Sequence, residues 1–289
     1  MYDEKQQLVT DIKKFLRRSG LKVKKSLGQH FLIDNSVLET IMKSAEPTPL
    51  DNVIEVGPGL GILTLQLARQ VKHVIAVEID TELASLLKNK CKSITNITVV
   101  NADILQTSPV QLLNGEGQYK VVANLPYYIT SPILQHFVRA SLKPTLMLVM
   151  VQKEVGQAII ATPGQLNILA ISLQLFTKPE IVEYVPSSSF YPAPKVDSVI
   201  IRFTLLSKPA VDINDIEDFL YFVRCGFSAP RKQLRNSLAH GLRQKPADIL
   251  PLFEKAHIES QRRPETLSIK EWERLYMIIR LPTKVKIPC

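Results

Sequence analysis

One stretch of this chain, residues 53–61, restricts the possible folds more than any other. A short apolar run stops at Gly57, glycines recur at positions 59 and 61, and an amphipathic helical pattern begins at Ile62. Glycine permits backbone conformations closed to other residues and lets a ligand approach the main chain. The dinucleotide-binding fingerprint GxGxxG would need glycine at position 62, where this chain has isoleucine. The GxGxG pattern therefore suits an uncharged nucleoside as well as a pyrophosphate, and a glycine turn without any ligand is the alternative.

Length and charge limit the classes of protein to consider. A chain of 289 residues can bury a full core and divide into two domains. A net charge of +9 favours an acidic partner, with nucleic acid first and a membrane surface second. The longest apolar run, residues 146–151, is too short to span a bilayer, and the first residues do not resemble a secretory signal. We therefore expect a soluble, cytoplasmic protein without a membrane partner.

The number and spacing of the cysteines also favour a cytoplasmic protein. Cys91, Cys225 and Cys289 are odd in number, widely spaced and without a CxxC pair. That distribution argues against a disulfide framework and against a zinc site, and it fits a reducing compartment. We expect no metal site.

Two acids follow the next predicted strands. The second strand, residues 73–78, ends in Glu78, which lies 21 positions after Gly57, the interval at which a carboxylate usually meets a ribose diol in this architecture. The third strand, residues 97–100, leads to Asp103, which could accept a hydrogen bond from an adenine amino group. A helix N-cap or a surface carboxylate is the alternative for either acid.

The fourth predicted strand, residues 119–123, delivers the tetrad Asn-Leu-Pro-Tyr at positions 124–127. The exocyclic amine of a nucleobase is a poor nucleophile because its lone pair is delocalised into the ring. The amide oxygen of Asn124 and a nearby backbone carbonyl can accept both N–H bonds and so turn the lone pair towards an electrophile. Pro126 stiffens the turn that presents these carbonyls, and Tyr127 offers a flat face to a flipped base.

The remaining pattern completes an α/β sheet. A strongly apolar fifth strand spans residues 145–152, helices are predicted over 153–161 and 166–175, and residues 181–185 and 198–204 are predicted to be the closing strands. A proline-rich loop joins the last two strands and carries Phe190, which could lie on the other face of the base that Tyr127 stacks. An aromatic plug on the sheet is the alternative for this ring.

Two regions outside the sheet are basic. Residues 3–18 have helical spacing, and residues 13–25 carry seven cations and no acid, which is typical of a phosphate-contacting arm or of a solvated helix face. After Leu205 the pattern is helical, and this part of the chain carries further cations: Arg224, Arg231, Lys232, Arg235, Arg243, Arg262 and Arg263. We predict domains at 1–205, with the basic N-terminal arm, and at 206–289, a small helical domain that grips a nucleic-acid backbone.

With these residues in view, the chain resembles the ribosomal RNA small-subunit adenine N6,N6-dimethyltransferase family (KsgA type) over nearly its whole length. The signatures that carry the resemblance occur in the family's order: Gly-Gln-His-Phe-Leu-Ile-Asp at 28–34, Glu-Val-Gly-Pro-Gly-Leu-Gly at 55–61, Asn-Leu-Pro-Tyr-Tyr at 124–128, Phe-Tyr-Pro-Ala-Pro-Lys-Val-Asp-Ser at 190–198, and Phe-Ser-Ala-Pro-Arg-Lys at 227–232. There are two departures. His30 stands where the family usually has asparagine, and Pro230 interrupts a stretch commonly richer in arginine.

The resemblance implies a Rossmann-like, seven-stranded methyltransferase sheet with a small all-helical C-terminal domain. It implies S-adenosylmethionine as the cofactor and 16S ribosomal RNA of the small subunit as the substrate, with N6 of two adjacent adenosines near its 3′ end dimethylated by a monomeric enzyme of ribosome biogenesis. Carried over by position, the expected cofactor contacts are His30, Leu32, Gly57, Glu78, Asp103 and Asn124. Asn124, the carbonyl of Pro126, Tyr127 and Phe190 are expected to hold the target adenine.

Four other functions remain open. The related 23S ribosomal RNA adenine methyltransferase of macrolide resistance is the sharpest of them, and a DNA adenine-N6 methyltransferase usually carries a separate recognition domain. A non-catalytic ribosome-assembly factor would need none of the site chemistry that Gly57, Glu78 and Asn124 provide. A nicotinamide-dependent dehydrogenase disagrees with Ile62 and with the tetrad.

Overall fold

The computed structural model describes residues 9–10, 12–14, 23–24, 27–115, 117–229 and 231–280. Contacts divide the chain into two compact units, one formed by residues 1–156 and 178–205 and the other by residues 157–177 and 206–289. One of these divisions falls after Leu205. Residues 157–177, which we predicted in the first domain, group instead with the C-terminal helices, because the helix Ile168–Gln174 packs on the helix Ile216–Gly226.

The first unit is built on a seven-stranded sheet, which confirms the predicted α/β class and Rossmann-like sheet. A separate two-stranded ribbon accompanies it. In chain order the strands are β1 Phe31–Leu32, β2 Asn52–Val56, β3 His73–Glu78, β4 Ile97–Asn101, β5 Tyr119–Asn124, β6 Leu146–Gln152, β7 Thr177–Val185, β8 Phe190–Tyr191 and β9 Ser198–Leu205. The sheet order is β4-β3-β2-β5-β6-β9-β7, in which β2 to β6 pair in parallel and β9 runs antiparallel to β6.

Burial explains which strands the sequence predicts well. The centre of the sheet is covered on both faces, so β6 is buried at nearly every position and appears as a continuous apolar run. Strand β7 lies at the edge and begins at Thr177, four residues before the predicted start at Ile181. Its first residues include Lys178 and Pro179, which an edge strand tolerates because one side of its backbone is unpaired.

Helices cover the sheet in the first unit and form most of the second. They are α1 Asn35–Ala45, α2 Ile62–Ala68, α3 Thr81–Lys90, α4 Pro109–Leu112, α5 Thr130–Arg139, α6 Lys153–Ile159, α7 Ile168–Gln174, α8 Ile216–Gly226, α9 Leu234–Leu242, α10 Pro246–Lys255 and α11 Ile269–Arg280. Helix α7 begins two residues later than predicted because the side chain of Asn167 accepts the N–H of Ala170 as an N-cap. Across the described residues, no helix is long and apolar enough to cross a membrane.

The ribbon of β1 and β8 joins the segment before α1 to the late proline-rich loop. Phe31 pairs with Tyr191 and Leu32 with Phe190 in antiparallel register. Each strand has only two residues, which is too short for an alternating pattern, so neither strand was predicted. The ribbon brings two of the predicted signatures together.

The N-terminal arm is described only in part. Residues 9–10 and 12–14 are helical, in agreement with the predicted helix, while the rest of residues 3–18 and Pro230 lie outside the described part of the chain. Ile12 is buried against Phe31, Leu60 and Leu83, so this end of the arm packs on the first unit.

The second unit has an aromatic core of its own. Trp272 is fully buried, lies edge-on to Phe222 and stacks on Phe227. Gly226 faces the Trp272 ring so closely that a Cβ there would lie 2.3 Å from its Cη2. Ser268 and Glu271 form a capping box at the start of α11.

Candidate active site

A cavity lies at the carboxyl ends of β2, β3, β4 and β5, where the sequence analysis predicted the ligand-binding residues. Its lining includes all but one of the predicted site residues: His30, Leu32, Gly57, Glu78, Asp103, Asn124, Pro126 and Tyr127. In parallel α/β sheets the carboxyl ends of neighbouring strands share one edge, and ligands bind there. The exception is Phe190.

The glycine turn forms one wall of the cavity. Gly57 has φ of +67° and Gly61 has φ of +77°, the left-handed region that favours glycine. A Cβ on Gly57 would lie 3.5 Å from the ring of Pro126, so the GxGxG turn faces the tetrad across a space that a side chain would fill. The N–H of Gly57 donates to the carbonyl of Val77 at 2.9 Å, which fixes the turn to β3.

The two predicted acids stand at the ends of their strands. Glu78 is 6% exposed, and its carboxylate accepts the N–H groups of Gly59 and Asp80 at 3.2 and 3.0 Å. Burial raises the pKa of Glu78 above its usual value. Asp103 accepts the N–H of Leu105 at 2.9 Å, so it also acts as the cap that was its alternative role. Both carboxylates nevertheless line the cavity.

Asn124, the last residue of β5, has a fixed orientation. Its Nδ2 donates to the backbone carbonyl of His30 at 3.2 Å, which turns Oδ1 the other way. Among the described atoms, this buried Oδ1 has no hydrogen-bond partner. A buried amide oxygen without a partner is costly, and a ligand N–H would remove that cost.

The backbone carbonyl of Pro126, which was predicted to bind the target adenine, already accepts two hydrogen bonds from the protein. It accepts the N–H of Ile129 at 3.3 Å and the hydroxyl of Thr130 at 3.1 Å. These bonds close the turn from the tetrad into α5. The expectation that this carbonyl holds the target amine is therefore corrected, because both of its lone-pair directions already have donors.

Tyr127 is held on two sides. Its hydroxyl is 2.6 Å from Oγ of Ser198, and its ring stacks on the His30 imidazole with centroids 5.6 Å apart and planes inclined by 24°. Nδ1 of His30 lies 2.6 Å from the carbonyl of Pro192, and since a carbonyl only accepts, Nδ1 carries the proton. Burial raises the pKa of Tyr127. One face of the Tyr127 ring is thus covered, and a base can stack only on the other.

Phe190 is not brought to the cavity. Its side chain is 2% exposed and packs in the apolar cluster that includes Leu32, Val185 and Ile200. The expected second stacking surface is corrected: strand β8 turns this ring into the core, as in the alternative of an aromatic plug. The late loop reaches the site through the carbonyl of Pro192 instead.

The cavity also contains a buried acid, Glu55, to which the sequence analysis gave no role. Glu55 is 2% exposed near the end of β2, and burial raises its pKa to about 8. Its Oε2 and the Thr64 hydroxyl are both buried, and a hydrogen bond from Thr64 partly opposes that rise. The signal was present, since an acid interrupts the apolar run of residues 53–56.

The chain matches known proteins over most of its length. Residues 20–279 match the family model described as ribosomal RNA adenine dimethylase. A relative from Dehalococcoides mccartyi, named ribosomal RNA small subunit methyltransferase A, is 43% identical over 94% of this chain and 93% of its own length. Among solved structures, a dimethyladenosine transferase from Plasmodium falciparum has a TM-score of 0.74 at 25% identity and covers 87% of this chain and 98% of its own.

A second solved structure bears on one of the open alternatives. The 23S rRNA methyltransferase ErmE has a TM-score of 0.67 at 29% identity and covers 88% of this chain and 100% of its own. Its identity to this chain is below the 43% of the small-subunit relative. The family match covers far more than half of the sequence and includes every signature from which the resemblance was argued. The chain belongs to the ribosomal RNA adenine dimethylase family.

Proposed function

We propose that this protein transfers methyl groups to N6 of two adjacent adenosines near the 3′ end of 16S ribosomal RNA, giving N6,N6-dimethyladenosine, and that it acts in small-subunit biogenesis. The observation that carries the proposal is the buried, unpartnered Oδ1 of Asn124 on the wall of the cavity. It is an acceptor placed where an exocyclic amine can donate to it.

The cofactor of this enzyme family is S-adenosylmethionine, which supplies a methyl group already activated on a sulfonium. The residues of the cavity fit it. Gly57 leaves open the space that a side chain would fill, and the Glu78 carboxylate is a buried acceptor for two ribose hydroxyls. Asp103 at the next strand end is assigned to the adenine amino group, with His30 and Leu32 closing the cavity.

On the target side, Asn124 and Tyr127 are the residues that act. Oδ1 of Asn124 accepts one N–H of the target amine and turns its lone pair towards the methyl group. Because the Pro126 carbonyl is occupied, we assign the second acceptor to the carbonyl of Leu125, the neighbouring residue that also lines the cavity. The target base is assigned to the face of Tyr127 that His30 does not cover.

Catalysis in this arrangement comes mainly from positioning, which can contribute roughly 7–11 kcal/mol. An amine held in this way would attack the methyl group in line, the methyl–sulfur bond would break with its electron pair left on sulfur, and the amine proton would leave after transfer, so no strong base would be required. His30 is not assigned that role, since its Nδ1 proton is held by Pro192 and its ring is stacked on Tyr127.

The RNA partner is assigned to the basic surface of the second unit. Arg224, Arg231, Lys232 and Arg243 are exposed there, whereas Arg262 is bonded to Glu271 and Thr266. Exposed cations are the groups that contact a phosphate backbone. We further propose that the enzyme works as a monomer in the cytoplasm.

The choice between small and large ribosomal subunits is the part of the proposal that most needs a test. Small subunits lacking the 3′-end dimethyladenosines are incubated with labelled S-adenosylmethionine, with large subunits as the control, and the RNA is digested to nucleosides. We expect N6,N6-dimethyladenosine from the small subunits alone. Label in the large subunits would assign the protein to the 23S enzymes. Bound cofactor without any label would make it a non-catalytic assembly factor.

A further inference from the structure

Asp80 has more partners than its place at the start of α3 requires. It is 4% exposed, and its Oδ1 accepts the N–H of Glu82 at 3.0 Å as an N-cap. The same carboxylate also accepts Nε2 of Gln29 at 2.9 Å and Nζ of Lys24 at 3.0 and 3.1 Å. A cap needs only the first of these bonds. The others attach a distant part of the chain to α3.

That part is a loop over the cavity, residues 27–30, which we call the roof loop. All of its residues line the cavity. On the β3 side it is attached by Gln29 to Asp80, and on the β5 side the carbonyl of His30 accepts the amide of Asn124. The roof loop therefore crosses the cavity between the ribose carboxylate and the tetrad.

Lys24 fixes the direction of the Gln29 amide. Its backbone N–H donates to Oε1 of Gln29 at 2.8 Å, so Nε2 is the atom left to donate to Asp80. The Lys24 side chain is 40% exposed and also bridges to Glu82 at 3.1 Å. The attachment on this side therefore joins an exposed lysine to a buried carboxylate, while the other side is held by Asn124 of the tetrad.

Asp80 also contacts a residue of the cavity, Glu78, through its backbone. Its backbone N–H donates to Oε1 of Glu78 at 3.0 Å. One residue thus fixes both the roof loop and the carboxylate assigned to the ribose. Although burial alone would raise the pKa of Asp80, the hydrogen bonds from Lys24 and Gln29 hold it below its usual value, which keeps the carboxylate charged.

We propose that Asp80 is a positioning residue that fastens the roof loop over the cofactor through Gln29. The proposal rests on the cofactor placement of the proposed function. Because every residue of the loop lines the cavity, loosening this attachment would weaken the contacts that hold the cofactor. Asp80 therefore governs the affinity for the cofactor and its dissociation, while the transfer step depends on Asn124 and Tyr127.

The test is a double-mutant cycle on the full-length protein with Asp80→Asn and Gln29→Ala. Asparagine at position 80 keeps an acceptor for the Glu82 N–H but loses the charge. Titration calorimetry gives Kd for S-adenosylmethionine, and methyl transfer at saturating cofactor gives kcat. We expect each single variant to raise Kd about tenfold, as for loss of a hydrogen bond to a charged group. We expect the double variant to bind no more weakly than the singles, with kcat within about twofold of wild type.

Three outcomes would overturn the proposal. An unchanged Kd in Asp80→Asn with a lowered Tm would leave Asp80 as a helix cap. If the two substitutions lower the free energy of cofactor binding additively, Gln29 contacts the cofactor directly and does not act through Asp80. A wild-type protein that does not bind S-adenosylmethionine would remove the ligand that the loop covers. Wild-type binding without RNA methylation would contradict the proposed function alone and leave the cycle measurable.

Asp34 supplies the matched control. It is also a buried helix N-cap, at 7% exposure, and accepts the N–H of Ser36 at 3.2 Å at the start of α1. It does not line the cavity. We expect Asp34→Asn to leave Kd for the cofactor at the wild-type value, and a tenfold rise there would show that cap substitutions disturb the site unspecifically.

Discussion

At the end of β5, one backbone carbonyl decides which way the Asn124 amide faces. The His30 carbonyl accepts Nδ2, so the acceptor oxygen is directed away from it and stays unpartnered within the described structure. The sequence predicts the asparagine but not its orientation, because the orienting group belongs to a residue 94 positions earlier in the chain. The chemistry assigned to this site depends on that long-range contact.

Replacing Asn124 tests the assigned chemistry at this scale. Asn124→Ala removes the acceptor for the target amine, and we expect kcat for methyl transfer to fall by about 100-fold or more, as when one oriented polar group is lost from an active site. Single-turnover transfer to small subunits measures it. Asn167→Ala removes an asparagine that caps α7 and should lower stability by about 1 kcal/mol while kcat is unchanged. Wild-type kcat in Asn124→Ala would reject the mechanism.

Glu55 makes a prediction about pH. Its folded-state pKa of about 8 lies above the value of an unfolded-state glutamate, so between those values the folded protein binds more protons than the unfolded one. The free energy of unfolding that Glu55 contributes is therefore fully present below the unfolded pKa. It is lost as the pH rises towards about 8, with a limiting slope of about 1.4 kcal/mol per pH unit.

Glu55→Gln removes this titrating group. We expect urea unfolding to show the variant gaining stability relative to wild type as the pH is raised from about 5 to about 8, since glutamine carries no charge to desolvate. A stability difference that is constant across this range would show that Glu55 titrates normally in the folded protein.

At the scale of elements, the glycine turn and the ribbon show what patterns predict well and what they miss. The turn has a local cause, since left-handed φ values require glycine, and its position was predicted. The ribbon joins residues 31–32 to 190–191, and its register depends on both ends of the first unit. The place of Phe190 in the core follows from that register. An aromatic residue in a proline-rich loop carries no local signal of which way it will face.

Gly61 tests the fit between the turn and α3. A Cβ there would lie 2.3 Å from Cδ1 of Leu87. Gly61→Ala should reduce the free energy of unfolding by the cost of a left-handed alanine, about 1–2 kcal/mol, plus overpacking of about 1–3 kcal/mol. Gly115 has a similar φ of +79° but nothing within 4 Å of a Cβ, so Gly115→Ala should show the backbone cost alone. Equal losses in urea unfolding would mean that Leu87 moves aside freely.

Substitutions of Phe190 test whether its ring packs in the core or stacks on the target base. Phe190→Leu keeps an apolar side chain in the core, so we expect kcat to stay within about twofold of wild type with a stability loss below about 1.5 kcal/mol. Phe190→Ala should cost about 3–5 kcal/mol in the free energy of unfolding because it leaves a cavity. A large fall in kcat in Phe190→Leu, with stability unchanged, would instead restore the stacking role.

At the scale of the whole molecule, the two units carry different parts of the proposed function. The first unit carries the cavity, and the cations of the second unit differ in what they contact. Arg262 bonds to Glu271, which holds the pKa of that carboxyl down to about 2, so this arginine belongs to the fold. Arg231 and Lys232 are exposed between α8 and α9. Composition predicted a basic helical region but could not separate these groups, because the separation depends on which carboxylates fold beside them.

This division gives a prediction about RNA affinity. Arg231→Ala and Lys232→Ala should each weaken binding to small-subunit RNA and reduce the slope of log K against log salt by about 0.7–0.9, since each removes one phosphate contact. Filter binding over a range of salt concentrations measures both. Arg262→Ala is the contrasting variant: it leaves Glu271 without its partner, so we expect a lower Tm for the second unit. A wild-type salt slope in both surface variants would place the RNA contact elsewhere on the molecule.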